Sequence, residues 1–115
     1  MKTLEKTTLK KNERDAIKAA VERLKKAYPV DRIVLFGSKA RGDFDEHSDI
    51  DLVIVATRPL HWKEEKAIVE MLFEIGLEYD VIFSPLFASN GEWEGGLFTE
   101  FPIYKEIIRD GAIVA

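Results

Sequence analysis

Two short segments carry side chains suited to chemistry on phosphate groups. Gly37 and Ser38 follow one apolar run, ten residues separate Ser38 from Asp49, and the pair Asp49 and Asp51 opens a second apolar run. A glycine–serine turn can bring backbone N–H groups close to an anion. Two carboxylates can hold a divalent cation such as Mg²⁺. Together, the two segments supply the groups that phosphoryl transfer on a nucleotide requires.

The spacing of the two aspartates determines how their side chains lie. Residues two apart on a strand project from the same face, so Ile50 and Leu52 can face the core while the carboxylates of Asp49 and Asp51 converge. At about 5 Å and an effective dielectric near 20, two carboxylates repel by roughly 3 kcal/mol. A bound Mg²⁺ removes that repulsion. The alternative interpretation is a strand cap followed by a solvated edge residue, but the preceding turn and the following apolar run favour a metal site.

Asp80 is a third candidate ligand for a metal ion. It lies in the apolar segment 79–83, where an unpaired carboxylate would be costly to bury. The pattern predicts a strand at residues 78–84 that ends at Pro85. Either an arginine pairs with Asp80 or its carboxylate joins the aspartate pair, and the upstream motif favours the second interpretation.

Basic residues near the glycine–serine turn are candidates for binding phosphate. Lys39 and Arg41 can neutralise a triphosphate, and the planar guanidinium of Arg41 also suits pairing with an acidic side chain. With Gly37 and Ser38, they form the predicted nucleotide-binding set. His47 has no second histidine nearby in the sequence, so we predict a solvated loop residue.

Apolar periodicity and turn residues predict the elements that hold these residues. The predicted order is a helix from Asn12 to Tyr28, strands at 31–36 and 49–56, a helix from Pro59 to Gly76, the strand at 78–84 and a helix at 100–110. This order predicts an α/β (mixed α+β) protein, in which helices flank a small mixed β-sheet. Residues 37–48 and 86–97 are predicted loops. The second loop either packs Trp93 or presents it as a contact surface.

Length and composition bound the class of protein. The chain has 115 residues, of which 46% are hydrophobic and 33% charged, and we predict one globular domain over residues 1–115. Residues 1–11 are rich in lysine and predict a frayed arm or an extra helical turn. A net charge of −4 argues against generic nucleic-acid binding. Cysteine is absent and no apolar run approaches the roughly 20 residues of a membrane span, so we expect a cytoplasmic protein.

The central motif resembles that of the DNA polymerase β-like nucleotidyltransferase superfamily. The resemblance rests on Gly37-Ser38, the Asp49-Ile50-Asp51 triplet and the later Asp80. The fuller stretches GSKARG at 37–42 and SDIDL at 48–52 look like the minimal nucleotidyltransferase branch, and the closing PIYKEIIRDG at 102–111 is similar to that branch's usual ending. The resemblance covers nearly the whole chain.

This resemblance implies a reaction and a role for each motif residue. In the superfamily, an acceptor hydroxyl attacks the α-phosphorus of a nucleoside triphosphate bound with Mg²⁺, and pyrophosphate leaves. Here Gly37 and Ser38 would hold the β- and γ-phosphates, and Asp49 and Asp51 would ligate two Mg²⁺ ions. Asp80 would ligate the catalytic metal and help to deprotonate the acceptor.

The resemblance also implies a partner protein. Larger superfamily members carry a further domain that shapes the acceptor site, and no such segment is visible in this sequence. Minimal members are often paired with a small helical HEPN protein, a ribonuclease toxin, and act as its antitoxin. We therefore predict transfer of AMP from ATP, or of another nucleoside monophosphate, to a hydroxyl of a HEPN-type partner in a hetero-oligomer.

Other functions are compatible with the sequence. A non-catalytic antitoxin that acts by complex formation would use the acidic surface and the loop around Trp93. An antibiotic-modifying or other small-molecule nucleotidyltransferase would need an acceptor-binding segment, which the sequence does not reveal. An Asp-x-Asp sugar-nucleotide glycosyltransferase would need a second half to hold its acceptor. The mass of a neutralised partner distinguishes complex formation from nucleotide transfer.

Overall fold

The computed structural model describes residues 1–43 and 48–115. Within these residues, the chain folds into a mixed five-stranded sheet with helices on both faces. The strands are β1 (Lys2–Thr3), β2 (Val30–Phe36), β3 (Ile50–Ala56), β4 (Phe83–Ser89) and β5 (Ala112–Ile113). The helices are α1 (Lys11–Ala27), α2 (Gly37–Arg41), α3 (Trp62–Tyr79), α4 (Asn90–Trp93) and α5 (Pro102–Asp110), with 3₁₀ turns at Leu4–Lys6 and Leu97–Glu100. The predicted fold class is confirmed. Within the described residues, no helix is long and apolar enough to cross a membrane.

The strand order β1-β5-β2-β3-β4 places the candidate motif at the centre of the sheet. Strands β2 and β3 are antiparallel, and Phe36 at the end of β2 pairs with Asp51 at the start of β3. Strands β3 and β4 are parallel, so Ser84 at the start of β4 lies on the other side of Asp51. The end of β2 and the starts of β3 and β4 therefore lie side by side at one end of the strands.

The two faces of the sheet bury different sets of side chains. Leu52 and Ile54 of β3 pack with α1 and α3 on one face. Val53 and Val55 pack on the other face, with the cluster that contains Trp93, Phe98 and Ile107. Because side chains alternate along a strand, Asp51 points to the same face as Val53.

The N-terminal segment does not form the predicted frayed arm. Lys2–Thr3 pairs in parallel with Ala112–Ile113, and the Lys2 amine donates a hydrogen bond to the carbonyl oxygen of Ala40. The following 3₁₀ turn, Leu4–Lys6, corresponds to the predicted extra helical turn. The strand was not predictable from its own residues because its partner lies 110 positions away in sequence.

Helix α3 runs past its predicted end at Gly76, and this changes the setting of Asp80. The helix continues to Tyr79, and Asp80 is its capping residue, with φ 59° and ψ 50°. A Cβ at position 76 would collide with the carbonyl oxygen of Val81, so the glycine permits a close approach rather than ending the helix. The prediction that Asp80 lies on a strand is therefore wrong.

Strand β4 begins later than predicted and includes Pro85, which was expected to end it. Proline is tolerated here because β4 is an edge strand, where a missing N–H does not interrupt the ladder. Strand β4 and α4 occupy much of the predicted loop at 86–97. Trp93 is 2% exposed and its ring centroid lies 5.1 Å from that of Tyr104, so it packs in the core and is not a contact surface.

Candidate active site

Asp49 and Asp51 form a like-charge pair at the start of β3. Asp49 is exposed and Asp51 is half-buried. The pKa of Asp51 is raised above the ordinary aspartate value, chiefly by burial and then by the negative charge of Asp49, while Arg41 partly opposes the shift. Both main causes disfavour the charged form of Asp51. A bound cation would relieve the repulsion, so the pair has the electrostatics of a cation site.

The backbone of Gly37 lies directly against Asp51 of this pair. Gly37 begins α2 with φ 73°, and a Cβ at this position would collide with Oδ2 of Asp51. The close approach follows from the antiparallel register, which sets Phe36 beside Asp51. A glycine is required for both the positive φ and the space.

The turn after Gly37 is helical rather than a plain loop. Ser38 is half-buried, and the N–H of Gly42 donates to its carbonyl oxygen at 2.9 Å. Gly42 caps the turn with φ 82°. The predicted loop at 37–48 is thus helical in its first five residues, whereas His47 lies outside the described residues.

Arg41 is the basic residue of the turn that faces the aspartates. Its Nε lies 3.2 Å from Oδ2 of Asp43. Its positive charge lowers the pKa of Asp51 against the larger raising effects, and it contributes to the lowered pKa of Asp110. Arg41 is exposed, so its guanidinium can reach an anion held at the aspartate pair.

Lys39 points away from the aspartates, contrary to its predicted role in binding phosphate. Its side chain is 1% exposed and forms an ion pair with Glu13 of α1, which is itself 4% exposed. Glu13 Oε1 also accepts a hydrogen bond from the backbone N–H of Lys10 at 2.8 Å. The reason is helical geometry, since residues two apart in a helix, such as Lys39 and Arg41, face nearly opposite directions.

Asp80 lines a polar cavity between the start of α1 and the end of α3. The cavity has a volume of about 510 Å³ and is lined by Lys10, Asn12, Glu13, Ser48, Asp80, Val81 and Ile82. The Asn12 side chain holds its wall by donating to the carbonyl oxygen of Tyr79 at 2.9 Å. Within residues 1–43 and 48–115, no three Asp, Glu, His or Cys side chains gather closely enough to hold a metal ion. Asp80 therefore does not join Asp49 and Asp51 in this arrangement.

Ser84 is a neighbour of the aspartate pair that sequence reasoning missed. It lies beside Asp51 in the parallel register, so the two side chains share a face of the sheet. It is half-buried, and its hydroxyl is a neutral oxygen donor. The place of Ser84 beside Asp51 depends on the pairing of β3 with β4. The sequence did not predict this pairing, because Pro85 was expected to end the strand.

The chemistry of the donor set fits Mg²⁺ bound together with a phosphate ligand. Mg²⁺ prefers oxygen donors, keeps several waters and is commonly held by one or two carboxylates plus substrate phosphates. Asp49 and Asp51 supply two carboxylates, and Gly37 leaves space for a close approach at Asp51. The pair thus supplies the one or two carboxylates that a protein contributes to such a site, so a third carboxylate is not needed.

A family model described as a nucleotidyltransferase domain matches residues 17–110. The match runs from within α1 to the end of α5 and includes the Gly37 turn and the aspartate pair. It therefore covers the strand–turn–strand unit that carries Gly37 and the aspartate pair.

Two relatives come from Methanocaldococcus jannaschii, and each is named "putative protein adenylyltransferase". The first is 42% identical over 57 residues, which cover 50% of this chain and 58% of the relative. The chain thus spans less than two thirds of that relative's length. The second is 30% identical over 105 residues, which cover 90% of this chain and 98% of the relative.

The fold is also similar to that of a crystal structure described as a toxin–antitoxin with AMP-PNP. The TM-score is 0.57 at 15% sequence identity, over 87% of this chain and 70% of that one. Similarity at this level of identity concerns the fold alone.

Proposed function

Because this chain belongs to the nucleotidyltransferase domain family, we propose that it transfers AMP from ATP to a hydroxyl group of a partner protein. The observation that carries the proposal is the pairing of Asp49 with Asp51, whose carboxylate lies against the backbone of Gly37. The names of the two relatives support a protein as the acceptor. The toxin–antitoxin structure with AMP-PNP supports an adenine nucleotide.

Asp49 and Asp51 would hold Mg²⁺ together with phosphate oxygens of the nucleotide. When bound, Mg²⁺ neutralises phosphate charge and polarises the reacting phosphorus. The aspartates would bring the charge of the ion to the start of β3, next to the α2 turn. Two ions are expected from the superfamily resemblance, and that number stays a prediction.

The start of α2 would hold the β- and γ-phosphates. Gly37 and Ser38 stand in its first turn, where backbone N–H groups have no partner within the helix. Arg41 faces the aspartate pair and presents a forked guanidinium suited to phosphate oxygens. Lys39 would act through the fold rather than on the nucleotide, since its side chain is buried against Glu13.

The proposed reaction exchanges one phosphorus–oxygen bond for another. The acceptor oxygen attacks the α-phosphorus, a new bond forms between them, and the bond from the α-phosphorus to the bridging oxygen of the β-phosphate breaks. Pyrophosphate leaves, and the hydroxyl proton passes to a base or to water. Asp80 stays the predicted residue for assisting this proton transfer from its place on the polar cavity.

The acceptor would belong to a helical toxin of the HEPN type, which the modification silences. This part of the proposal rests on the superfamily resemblance and on the similarity to a toxin–antitoxin structure. It makes the chain an antitoxin that acts as an enzyme.

Intact-mass analysis of a candidate HEPN partner tests this function. Incubation with the chain, Mg²⁺ and ATP should add the mass of one or more AMP groups, and a metal chelator should prevent the gain. The double variant D49N/D51N is the matched control and should leave the partner's mass unchanged. A partner that is neutralised without any gain in mass would show complex formation instead, and transfer by the double variant would contradict the assigned roles.

A further inference from the structure

We propose that Ser84 lies on the acceptor side of the candidate site, where its hydroxyl orients the attacking hydroxyl group of the partner. This inference rests on the proposed function and deepens it, because it assigns nucleotide and acceptor to opposite sides of the aspartate pair. The superfamily resemblance gives no role to Ser84. Its place follows from the register of the sheet.

The side chain of Ser84 lies on the same face of the sheet as that of Asp51. The two residues are partners in the parallel register of β3 and β4, and neighbouring strands are about 4.8 Å apart. Ala88, further along β4 on the same face as Ser84, packs with Val53 in the core of that face. The hydroxyl and the carboxylate are therefore neighbours on one surface.

Asp51 has a different neighbour on each side. On the side of β2, the register sets Phe36 beside Asp51, and the backbone of Gly37 lies against its Oδ2. On the side of β4, the neighbour is Ser84. Because β3 lies between β2 and β4 in the sheet, the Gly37 turn and Ser84 flank Asp51 from opposite sides.

The geometry of displacement at phosphorus assigns a chemical role to each side. The attacking and leaving oxygens lie roughly in line, on opposite sides of the phosphorus. The β- and γ-phosphates leave as pyrophosphate, and the proposed function places them at the start of α2, on the side of β2. The attacking oxygen therefore arrives from the side of β4, where Ser84 presents a hydroxyl next to Asp51.

The hydroxyl of Ser84 is available for this contact. Among residues 1–43 and 48–115, no side chain or backbone group forms a hydrogen bond with it. Ser84 is half-buried, and β4 is the last strand of the described sheet, so Ser84 stands between Asp51 and the edge of that sheet. An unused hydroxyl at this place can bind a hydroxyl group that arrives from outside.

The role of Ser84 is to position the acceptor rather than to take its proton. The Ser84 oxygen accepts a hydrogen bond from the acceptor hydroxyl and holds the attacking oxygen near the α-phosphorus. As that oxygen forms its new bond, the bond from the α-phosphorus to the bridging oxygen breaks, and the proton passes to a base or to water. A neutral hydroxyl also adds no charge to the repulsion between Asp49 and Asp51.

Two substitutions test the hydrogen bond. S84A should lower the single-turnover rate of AMP transfer to a candidate HEPN partner by about tenfold or more. Its affinity for Mg²⁺–AMP-PNP, measured by calorimetry without the partner, and its melting temperature should match those of the wild type. S84T keeps the hydroxyl and should recover most of the rate.

The outcomes separate this inference from the proposed function. A wild type that transfers no AMP would remove the proposed function. A wild type that transfers AMP, with S84A equally fast, would overturn only the role of Ser84. A loss of Mg²⁺–AMP-PNP affinity in S84A that matches its loss of rate would also overturn it, because Ser84 would then act on the nucleotide.

Chemical modification tests the two sides directly. The chain contains no cysteine, so S84C and S38C each carry a single thiol, one on each side of Asp51. Methyl methanethiosulfonate should stop transfer by S84C but leave its Mg²⁺–AMP-PNP affinity unchanged, because the added group fills the acceptor side. In S38C the same reagent should abolish Mg²⁺–AMP-PNP binding. Full transfer by modified S84C, or loss of its nucleotide affinity, would overturn the assignment of sides.

Discussion

Two corners of the molecule, one around Asp51 and one around Asp80, lie at the same end of the strands, but they are built differently. Asp51 is on a strand next to Asp49, and its pKa is raised chiefly by burial and then by the negative charge of Asp49. Asp80 caps a helix in the left-handed conformation and lines a polar cavity. The difference shows that backbone geometry decides which carboxylates lie together and which remain apart.

Glu13 connects the two corners. Its side chain lines the cavity beside Asp80, and it forms a buried ion pair with Lys39 in the turn that carries Gly37. The position of the α2 turn therefore depends on α1 as well as on β2.

Replacing the carboxylates should give the largest difference. D51N removes half of the charge that would hold Mg²⁺, and nucleotide transfer should fall by about 1,000-fold. D80N should lower the rate less, by roughly 100-fold, because it removes only the assistance to proton transfer proposed for Asp80, and asparagine tolerates the left-handed backbone of this position. Single-turnover transfer rates and melting temperatures measure both variants. Equal losses in the two variants would show that Asp80 acts with the pair as a third carboxylate.

Breaking the Glu13–Lys39 pair should have the next largest effect. E13Q leaves the buried ammonium of Lys39 without its counter-charge and should lower the free energy of unfolding by about 3 kcal/mol. D15N, on the same helix, removes an exposed partner of Lys11 and should cost less than about 0.5 kcal/mol. Urea denaturation measures both changes.

A double variant separates loss of charge pairing from loss of packing. E13L/K39M removes both charges and should recover most of the stability lost in E13Q. If it recovers none, then the shape of the side chains rather than their charges holds α2 against α1.

Substitutions at two glycines should separate the effect of blocking the site from the effect of backbone strain. G37A places a Cβ against Oδ2 of Asp51 and should weaken Mg²⁺–ATP binding by at least about tenfold. G42A has a similar positive φ, but its Cβ meets Thr8 Oγ1 at an ordinary 3.5 Å. It should cost roughly 1–2 kcal/mol of stability from strain alone, with nearly normal nucleotide binding by calorimetry. Equal affinities in G37A and wild type would contradict the close approach of Asp51.

The raised pKa of Asp51 predicts a smaller, pH-dependent effect. The folded chain holds the Asp51 proton more tightly than the unfolded chain does, so ionisation of Asp51 lowers stability as pH rises through the raised pKa. Mg²⁺ bound at the aspartate pair would compete with that proton. The melting-temperature increase caused by Mg²⁺ should therefore disappear on acidification at a higher pH than ordinary aspartates would give. D80N should keep this profile, and D51N should remove it.

Local sequence patterns were sufficient for much of the fold. The apolar runs before Gly37 and after Asp51 predicted β2 and β3, and the apolar spacing in 12–28 predicted α1, because burial of one face leaves a period that the sequence displays. The predicted helix at 100–110 corresponds to α5, whose first residue is Pro102. The resemblance to nucleotidyltransferases, which rests on Gly37-Ser38 and Asp49-Ile50-Asp51, is confirmed by the family match.

Other features depended on contacts between distant segments. Strand β1 forms because β5 offers an edge, and Pro85 stays in β4 because that strand is at the sheet boundary. Neither the pairing of β1 with β5 nor the edge position of β4 can be predicted from neighbouring residues in the sequence. Ser84 came to the site in the same way, through the parallel register of β4 with β3.

The sequence by itself determined the pairing of Asp49 with Asp51 and the need for glycine at position 37, because strand alternation and backbone sterics act over a few neighbouring residues. Only the tertiary structure decided where Lys39 and Asp80 lie. The ammonium of Lys39 is directed to Glu13 by the packing of α1, and Asp80 is held at a helix end because α3 continues past Gly76. Ion pairing and helix length depend on partners that the local pattern does not contain.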